Sequence, residues 1–361
     1  MKKVFLYNDK FSDVSYGSSH PMRPERLGLT YGLIKKHELL NPEKTALVEA
    51  RKATESEVLL FHTKEYVEAL KIADTGSVEE LGKEAVKFGL GYCDNPAFKG
   101  VYEWSRYVTG ASVQASEMVA AGEADAAFNI GGGLHHAIAG KASGFCYIDD
   151  PVVAIKRLLH LNKRVAYVDI DAHHGDGVEA AFYDTDKVLT ISIHESGFYL
   201  FPGTGFPENM GEGRGKGYAV NLPMPPSTGD ELFVHGFNEI VPPALKAFKP
   251  DILVTQLGVD TFHSDPITHI NLTTNGFEEM VRAFKGLGIP WVALGGGGYN
   301  MDNVKRAWTL AWAIMAGEDG EELDVLRDAP LRQSVSAREE REAEAAIKFL
   351  RENVLPLIKS S

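Results

Sequence analysis

The 361-residue sequence is poor in cysteine, lacks long apolar runs and has no excess of basic residues. Its two cysteines, Cys93 and Cys146, are too few for a disulfide framework and suit a reducing compartment. No segment approaches the ~20 consecutive apolar residues that a membrane span needs. The apolar run at residues 4–7 is too short for a signal peptide. We therefore expect a cytoplasmic protein with no membrane partner.

The charge of the chain excludes a further class of partners. The formal net charge is −13, from 37 Lys and Arg against 50 Asp and Glu. Nucleic-acid binding normally needs a basic face that neutralises phosphates, so direct nucleic-acid binding is not expected. An acidic surface also attracts basic substrates, but solubility alone explains such a charge more simply. The sequence leaves the oligomeric state open.

Short apolar, β-branched runs alternate with stretches of helical periodicity, which predicts an α/β fold with a mostly parallel sheet covered by helices on both faces. The predicted strands are residues 4–7, 126–130, 165–170, 188–193, 252–257 and 291–294. The predicted helices are residues 104–121, 152–161, 231–248, 276–287 and 304–316. We expect one catalytic domain over residues 1–330 and a helical tail over residues 331–361 that packs on it. The apolar residues of the tail have the spacing of an amphipathic helix.

The chemistry-bearing residues follow the predicted strands, where parallel sheets place their ligand sites. Asp169, Asp171 and His173 alternate at the end of one strand and so face the same side. Asp260 follows another strand, and with Asp171 and His173 it makes a three-ligand metal set that leaves a position open for water and substrate. Two carboxylates and one imidazole suit Zn²⁺, but also Fe²⁺, Co²⁺ or Mn²⁺. The Asp-x-Asp-x-His run alone also fits a polar strand end.

A metal ion with an open position can activate water for hydrolysis. Hydrolysis of an amide also needs a base, a proton for the leaving amine and a donor to the oxyanion. His135 and His136 follow three glycines, and Asp169 and Asp176 are carboxylates available to orient them. A structural turn is the alternative for this pair of histidines. Tyr299 follows four glycines and presents a phenol that could donate to the oxyanion, although aromatic packing would be the better explanation if this tyrosine stood alone. No phosphate-binding Gly-x-x-x-x-Gly-Lys-Ser/Thr motif is present.

Together these motifs resemble the arginase/deacetylase superfamily, and within it the zinc-dependent histone deacetylases and bacterial acetoin-utilisation deacetylases. The resemblance covers roughly residues 16–316, and its longest segments read FNIGGGLHHAIAGKASGFCY at 128–147 and YVDIDAHHGDG at 167–177. It implies a three-layer α/β/α sandwich with about eight strands and a narrow tunnel ending at the metal. It also implies that His136, paired with Asp176, is the general base. His135, paired with Asp169, then has an electrostatic role, and Tyr299 polarises the acyl carbonyl.

The resemblance also implies residues that line the substrate tunnel and residues that bind structural cations. The implied tunnel walls are Gly144, Phe145, Phe201 and Ile267. Asp94 lies where class I enzymes hold the substrate backbone, but the sequence around it is one residue longer than the family pattern, which puts that role in doubt. Arg26 lines the cavity behind the metal or forms a buried ion pair. Two structural K⁺ or Na⁺ sites are implied, one formed by Asp169, Asp171, His173, Ser192 and Ile193 and the other by Phe182, Thr185, Val188 and Tyr218.

We therefore predict a zinc-dependent hydrolase that removes acetyl or other short acyl groups from lysine side chains of proteins or peptides and releases acetate. The alternative is a deacetylase of acetylpolyamines or other small acetylamines. The sequence argues against two other classes of protein. A two-manganese arginase would need a carboxylate where this chain has Gly258, and a non-catalytic binding module would be indicated by loss of a ligand or of Tyr299.

Overall fold

A computed structural model describes residues 2–91, 94–331 and 335–360 of the chain. Cys93 lies outside these residues, as does Ser334 in the tail region. The described residues contain eight named strands, which are β1 (Lys2–Tyr7), β2 (Thr45–Glu49), β3 (Ala124–Asn129), β4 (Val165–Asp169), β5 (Val188–Glu195), β6 (Ala219–Met224), β7 (Ile252–Gln256) and β8 (Trp291–Leu294).

These strands form one sheet in the order β2-β1-β3-β8-β7-β4-β5-β6, and all neighbouring strands run parallel. The six predicted strands are present. The pattern did not predict β2 or β6, and both lie at the edges of the sheet. β2 alternates half-buried and exposed residues after its buried first residue instead of forming a continuous apolar run, and β6 contains Pro223. Edge strands tolerate such residues because one side makes no ladder hydrogen bonds.

The helices cover both faces of the sheet, which confirms the predicted three-layer α/β architecture. They are α1 (Glu25–Lys36), α2 (Glu55–Val58), α3 (Lys64–Ala73), α4 (Val78–Leu81), α5 (Glu84–Phe88), α6 (Val101–Ala120), α7 (Asp150–His160), α8 (Asp176–Phe182), α9 (Asp230–Phe248), α10 (Thr274–Gly286), α11 (Met301–Ala316) and α12 (Ala337–Asn353). One layer contains the packed pair α6 and α7, and the other contains α1, α11, α10 and α9 in succession. Among the described residues, no helix is long and apolar enough to cross a bilayer.

The tail helix α12 packs on α9 and β6. Its start is capped by Ser336 and Glu339, whose side chains each accept from the other's backbone N–H. The apolar positions that the sequence singled out are buried, namely Ala346, Ile347, Leu350, Val354 and Ile358. The boundary between domain and tail at residue 330 stays a prediction.

The strand order determines where the functional side chains meet. After β3 the chain leaves two positions empty before it forms β4, and β7 and β8 later fill them. The carboxyl ends of β3, β8, β7 and β4 therefore lie side by side at the centre of the sheet. The polar motifs found in the sequence follow these four strands, so the topology brings them to one place.

Candidate metal centre and active site

The three predicted metal ligands lie together at the ends of two adjacent strands. Asp171 and His173 follow β4, and Asp260 follows β7, its neighbour in the sheet. Nδ1 of His173 lies 3.1 Å from Oδ1 of Asp171 and 3.0 Å from Oδ2 of Asp260. All three residues are buried, and their ligand atoms lie within 4.8 Å of one another. Sequence reasoning from strand ends had brought these three side chains to one site, and the structure places them there.

The composition of this cluster fits a divalent metal ion. Two buried carboxylates beside one imidazole are costly unless a cation compensates them. Burial alone would raise the pKa of Asp171, but the charge of His135 and the hydrogen bond with His173 hold that pKa well below its ordinary value. A carboxylate that stays ionised in a buried site is a ready metal ligand, and a set of three protein ligands is the pattern of catalytic sites.

Polar contacts orient the carboxylates. Oδ2 of Asp171 accepts a hydrogen bond from Nε2 of Gln256 and another from the N–H of Gly297, each 2.7 Å long. Oδ1 of Asp260 accepts from the N–H of Ala172 at 2.9 Å. Sequence reasoning had assigned no role to Gln256, although a polar residue that ends the apolar run of β7 was a usable signal. Such outer contacts fix the direction in which ligand oxygens point.

Gly258 has no room for a side chain. A Cβ at this position would overlap Oδ2 of Asp171 and would lie 2.6 Å from its Cγ. The carboxylate that a two-manganese arginase would need at this position therefore cannot be accommodated beside Asp171 in its present orientation. This packing favours one metal ion over two.

The two histidines that follow β3 are each paired with a carboxylate. Nδ1 of His135 lies 2.7 Å from Oδ2 of Asp169, and Nδ1 of His136 lies 2.7 Å from Oδ1 of Asp176. The ring of His136 is 5.8 Å from that of His173, between centroids, so the pair borders the metal ligands. The carboxylates hold the proton on Nδ1 of each ring, and Nε2 lies on the other side of the ring, where Nε2 of His135 is 3.9 Å from Oδ1 of Asp171.

The two pairs differ in charge state. Burial lowers the pKa of His135, but the nearby charges of Asp169 and Asp171 outweigh it and raise that pKa to about 9. Burial and the charge of His135 lower the pKa of His136 to about 4, against the opposing effect of Asp176. Near neutral pH one imidazole is therefore cationic and its neighbour is neutral. A neutral imidazole accepts protons, whereas a cationic one stabilises negative charge.

Tyr299 follows β8 and a run of four glycines. Its backbone N–H donates to Oδ2 of Asp265 at 2.8 Å, and Gly297, two residues earlier, contacts the metal ligand Asp171. Burial raises the pKa of Tyr299 well above its ordinary value, so the phenol keeps its proton. The side chain can therefore act as a hydrogen-bond donor at the site.

Arg26 supports the same glycine run. Its guanidinium donates to the carbonyl oxygens of Gly298 at 2.7 Å and Gly296 at 2.8 Å, and it lies 5.2 Å from the ring centroid of Trp308. Within the part of the chain that the structure describes, Arg26 thus contacts backbone carbonyls and a ring and forms no ion pair with a carboxylate. Burial lowers the pKa of this arginine without removing its charge at neutral pH.

Three of the predicted tunnel residues border the predicted catalytic side chains His136 and Tyr299. The ring of Phe201 is 5.1 Å from that of His136, and the ring of Phe145 is 5.6 Å from that of Tyr299, both edge to face. Gly144, with φ of +50°, packs so closely that a Cβ would lie 2.7 Å from Cγ of His136. Ile267 is half-buried, and its N–H donates to Oδ1 of Asp265 at 3.1 Å. These four predicted tunnel residues are therefore all aromatic or apolar.

Asp94 lies farther from the centre. It is exposed, and its carbonyl oxygen lies 3.2 Å from Nε2 of His20. The ring of His20 is in turn 4.6 Å from that of Phe145. His20 therefore lies between Asp94 and the predicted tunnel residue Phe145.

The residues of the two predicted cation sites fall into two groups. In the first, Oδ1 of Asp169 accepts from the N–H of Asp171 at 3.0 Å, and Ser192 and Ile193 are consecutive residues of β5, the strand beside β4. In the second, Phe182 ends α8 and its carbonyl oxygen accepts from the N–H of Thr185 at 3.3 Å. Val188 begins β5, and Tyr218 directly precedes β6, the next strand. The cations themselves stay a prediction.

Comparison with known proteins gives consistent results. The model of the family described as "Histone deacetylase domain" matches residues 20–315. The chain is 39% identical to the acetoin utilization protein AcuC of Bacillus subtilis over 323 residues, covering 88% of this chain and 82% of AcuC. It is 40% identical to the histone deacetylase RPD3 of Saccharomyces cerevisiae over 312 residues, covering 86% and 71%. The crystal structure of an HDAC homolog from Aquifex aeolicus matches with a TM-score of 0.86 and 32% identity, covering 96% of this chain and 100% of that one.

Proposed function

Because the chain belongs to the histone deacetylase family, whose members hydrolyse acetyl-lysine amide bonds, we propose that it removes acetyl groups from lysine side chains of polypeptides and releases acetate. The observation that carries this proposal is the meeting of Asp171, His173 and Asp260 with a neutral His136 and a cationic His135 in one buried site. This set supplies the groups that amide hydrolysis needs.

We propose that the metal is zinc, although the same two carboxylates and imidazole also suit Fe²⁺ and Mn²⁺. Asp171, His173 and Asp260 would hold the ion. When bound, it supplies Lewis acidity that polarises the acyl carbonyl and acidifies a water molecule. Structural K⁺ or Na⁺ ions at the two groups of predicted residues are part of the same proposal.

His136 is the proposed general base. Burial tends to raise the pKa of Asp176, but its hydrogen bond with His136 lowers that pKa, so the carboxylate is ionised and keeps the proton of His136 on Nδ1. Nε2 is then free to take a proton from the attacking water and to deliver it to the leaving lysine amine. His135 stays protonated through the reaction and stabilises the negative charge that develops on the acyl oxygen.

Tyr299 is the proposed donor to that oxygen. Its phenol keeps its proton because burial raises its pKa, and a donor oriented in advance is worth more than one that must be recruited. Phe145, Phe201, Gly144 and Ile267 form the proposed walls around the aliphatic lysine stem. Their apolar surfaces suit the methylene groups of the lysine stem.

Two further proposals follow. We propose a cytoplasmic location, since the sequence has only two cysteines and Cys146 is buried as a free thiol. We also propose that residues 1–330 act as the catalytic domain and that the tail, residues 331–361, supports it. The contacts of α12 with α9 and β6 support this role for the tail.

The test is an acetate-release assay on three substrates: an acetyl-lysine peptide, the same peptide with a longer acyl group, and an acetylpolyamine. Each is assayed with the purified protein, after removal of metal by a chelator, and after addition of Zn²⁺, Fe²⁺ or Mn²⁺. We expect the acetyl-lysine peptide to be hydrolysed, with loss on chelation and recovery with metal. Release of acetate from the acetylpolyamine alone would replace the proposed substrate. Full activity in protein shown by elemental analysis to be metal-free would refute the mechanism.

A further inference from the structure

The buried carboxylate of Asp265, which has no role in the site described so far, contacts the backbone of both Tyr299 and Ile267. Oδ2 of Asp265 accepts a hydrogen bond from the backbone N–H of Tyr299 at 2.8 Å, and Oδ1 accepts one from the N–H of Ile267 at 3.1 Å. Asp265 is only 9% exposed, so these bonds do not compete freely with water. The same side chain thus joins the proposed oxyanion donor to a proposed tunnel wall.

Tyr299 needs such an external attachment because of the residues that precede it. Gly296 and Gly298 have φ of +140° and +138°, a region of backbone conformation that favours glycine. A run of four glycines has the greatest conformational freedom of any sequence, and it has no side chains that would fix the path of the chain. Arg26 binds the carbonyls of Gly296 and Gly298, and both of these bonds precede Tyr299 in the chain.

Neighbouring contacts strengthen the same attachment. The carbonyl oxygen of Ser264 accepts from Nδ2 of Asn300 at 3.2 Å, and Oγ of Ser264 accepts from Nδ2 of Asn303 at 2.9 Å. The side chain of Asn300 also caps α11 by accepting from the N–H of Asp302. Residues 264–265 therefore hold the segment that runs from the glycines into α11, and Asp265 is the member that binds Tyr299.

We propose that Asp265 is a positioning residue for deacetylation, which fixes the backbone of Tyr299 relative to Ile267 so that the phenol stays at the acyl carbonyl. This inference rests on the proposed function. Asp265 does not contact the reacting atoms and acts through Tyr299. An oxyanion donor contributes only when it lies within hydrogen-bond distance of the developing charge, and a displacement of about 1 Å is costly.

A double-mutant cycle tests this coupling. Asp265→Ala, Tyr299→Phe and the double variant are compared with the wild type for kcat and KM on an acetyl-lysine peptide. We expect Asp265→Ala to lower kcat about 10- to 100-fold, with metal content unchanged, because the two backbone hydrogen bonds to the Asp265 carboxyl group are lost. In the Tyr299→Phe background the same change should cost no more than about twofold, since the donor is already absent. Asp302→Ala is the matched control, because Asp302 is exposed, lies three residues beyond Tyr299 and has a carboxylate that pairs with Lys305 and Arg306 on its own helix.

Amide hydrogen exchange of the peptide that covers residues 296–300 supplies a readout that needs no turnover. The N–H of Tyr299 should exchange faster in Asp265→Ala than in the wild type or in Asp302→Ala. If Asp265→Ala does not fold, Asp265→Asn serves in the same cycle, because an amide keeps one acceptor oxygen and loses the other. Additive effects on kcat, or unchanged exchange at Tyr299, would overturn the proposal. Wild-type protein without deacetylase activity would refute the proposed function instead, and the exchange measurement would still decide whether Asp265 holds Tyr299.

Discussion

Replacing Gly258 by alanine tests the packing of the metal centre with a single methyl group. The new Cβ would overlap Oδ2 of Asp171 and lie 2.6 Å from its Cγ, a separation that real Cβ atoms do not show. The backbone of Gly258 cannot retreat easily, because its N–H donates to Oε1 of Gln256 at 2.7 Å. The carboxylate of Asp171 must therefore swing away from its present position.

The size of the effect follows from the bonds that this movement breaks. Asp171 would lose its hydrogen bonds from Gln256 and from the N–H of Gly297. A bond to an ionised group is worth about 1.5–3 kcal/mol, so the metal-binding arrangement would be disfavoured by about 3–6 kcal/mol. Since 1.4 kcal/mol is tenfold in an equilibrium constant, the Kd for the metal should rise by a factor of about 10² to 10⁴.

The assay is a competition titration of metal-free protein against a chromophoric chelator, with acetate release measured on the same samples. Gly286→Ala is the matched control: Gly286 ends α10, and a Cβ there would meet nothing within 4 Å. We expect the control to bind metal and turn over as the wild type does. Gly258→Ala protein with wild-type metal affinity and wild-type kcat would show that the carboxylate of Asp171 is not constrained in the way described.

The remaining predictions concern single side chains. Tyr299→Phe should lower kcat about 10²- to 10³-fold with metal content intact by elemental analysis, and near-normal turnover would refute the oxyanion role. His136→Ala should lower kcat about 10²- to 10⁴-fold without loss of metal, measured on the acetyl-lysine peptide; a small effect would place the base elsewhere. Burial lowers the pKa of His62 to about 4, below its value of about 6.5 in the unfolded chain, so its stabilising effect is present above pH 6.5 and is lost as the pH falls through 4. Denaturant unfolding between pH 7 and pH 4 should show roughly 3 kcal/mol less pH dependence in His62→Gln than in the wild type, and equal slopes would contradict this assignment.

Much of the fold was predictable from local patterns. The buried strands β3, β4, β7 and β8 are apolar runs flanked by glycine and polar residues, and runs of this kind are recognisable without tertiary information. The strands β2 and β6 were missed because their residues alternate in burial or include Pro223, so only their pairing in the sheet identifies them. The family and the α/β architecture, both predicted from the sequence, are confirmed.

The residues of the candidate site likewise fall into those that the sequence predicted and those that it did not. The sequence by itself determined which chemical groups are available, because Asp171, His173 and the paired His135 and His136 are recognisable from strand alternation and short motifs. It did not reveal Asp265 or Gln256, because the contact of Asp265 with Tyr299 and that of Gln256 with Asp171 join residues that are distant in the chain.

Only the tertiary structure decided how these groups act. Inserting β7 and β8 between β3 and β4 brings Asp260 to His173, and this strand order depends on long-range pairing that no local pattern contains. The charges of Asp169 and Asp171 outweigh burial and make His135 cationic, while burial and the charge of His135 make His136 neutral. Two adjacent residues of one type thus acquire opposite charge states, because the pKa of a buried group is determined by its desolvation and by neighbouring charges rather than by its place in the sequence.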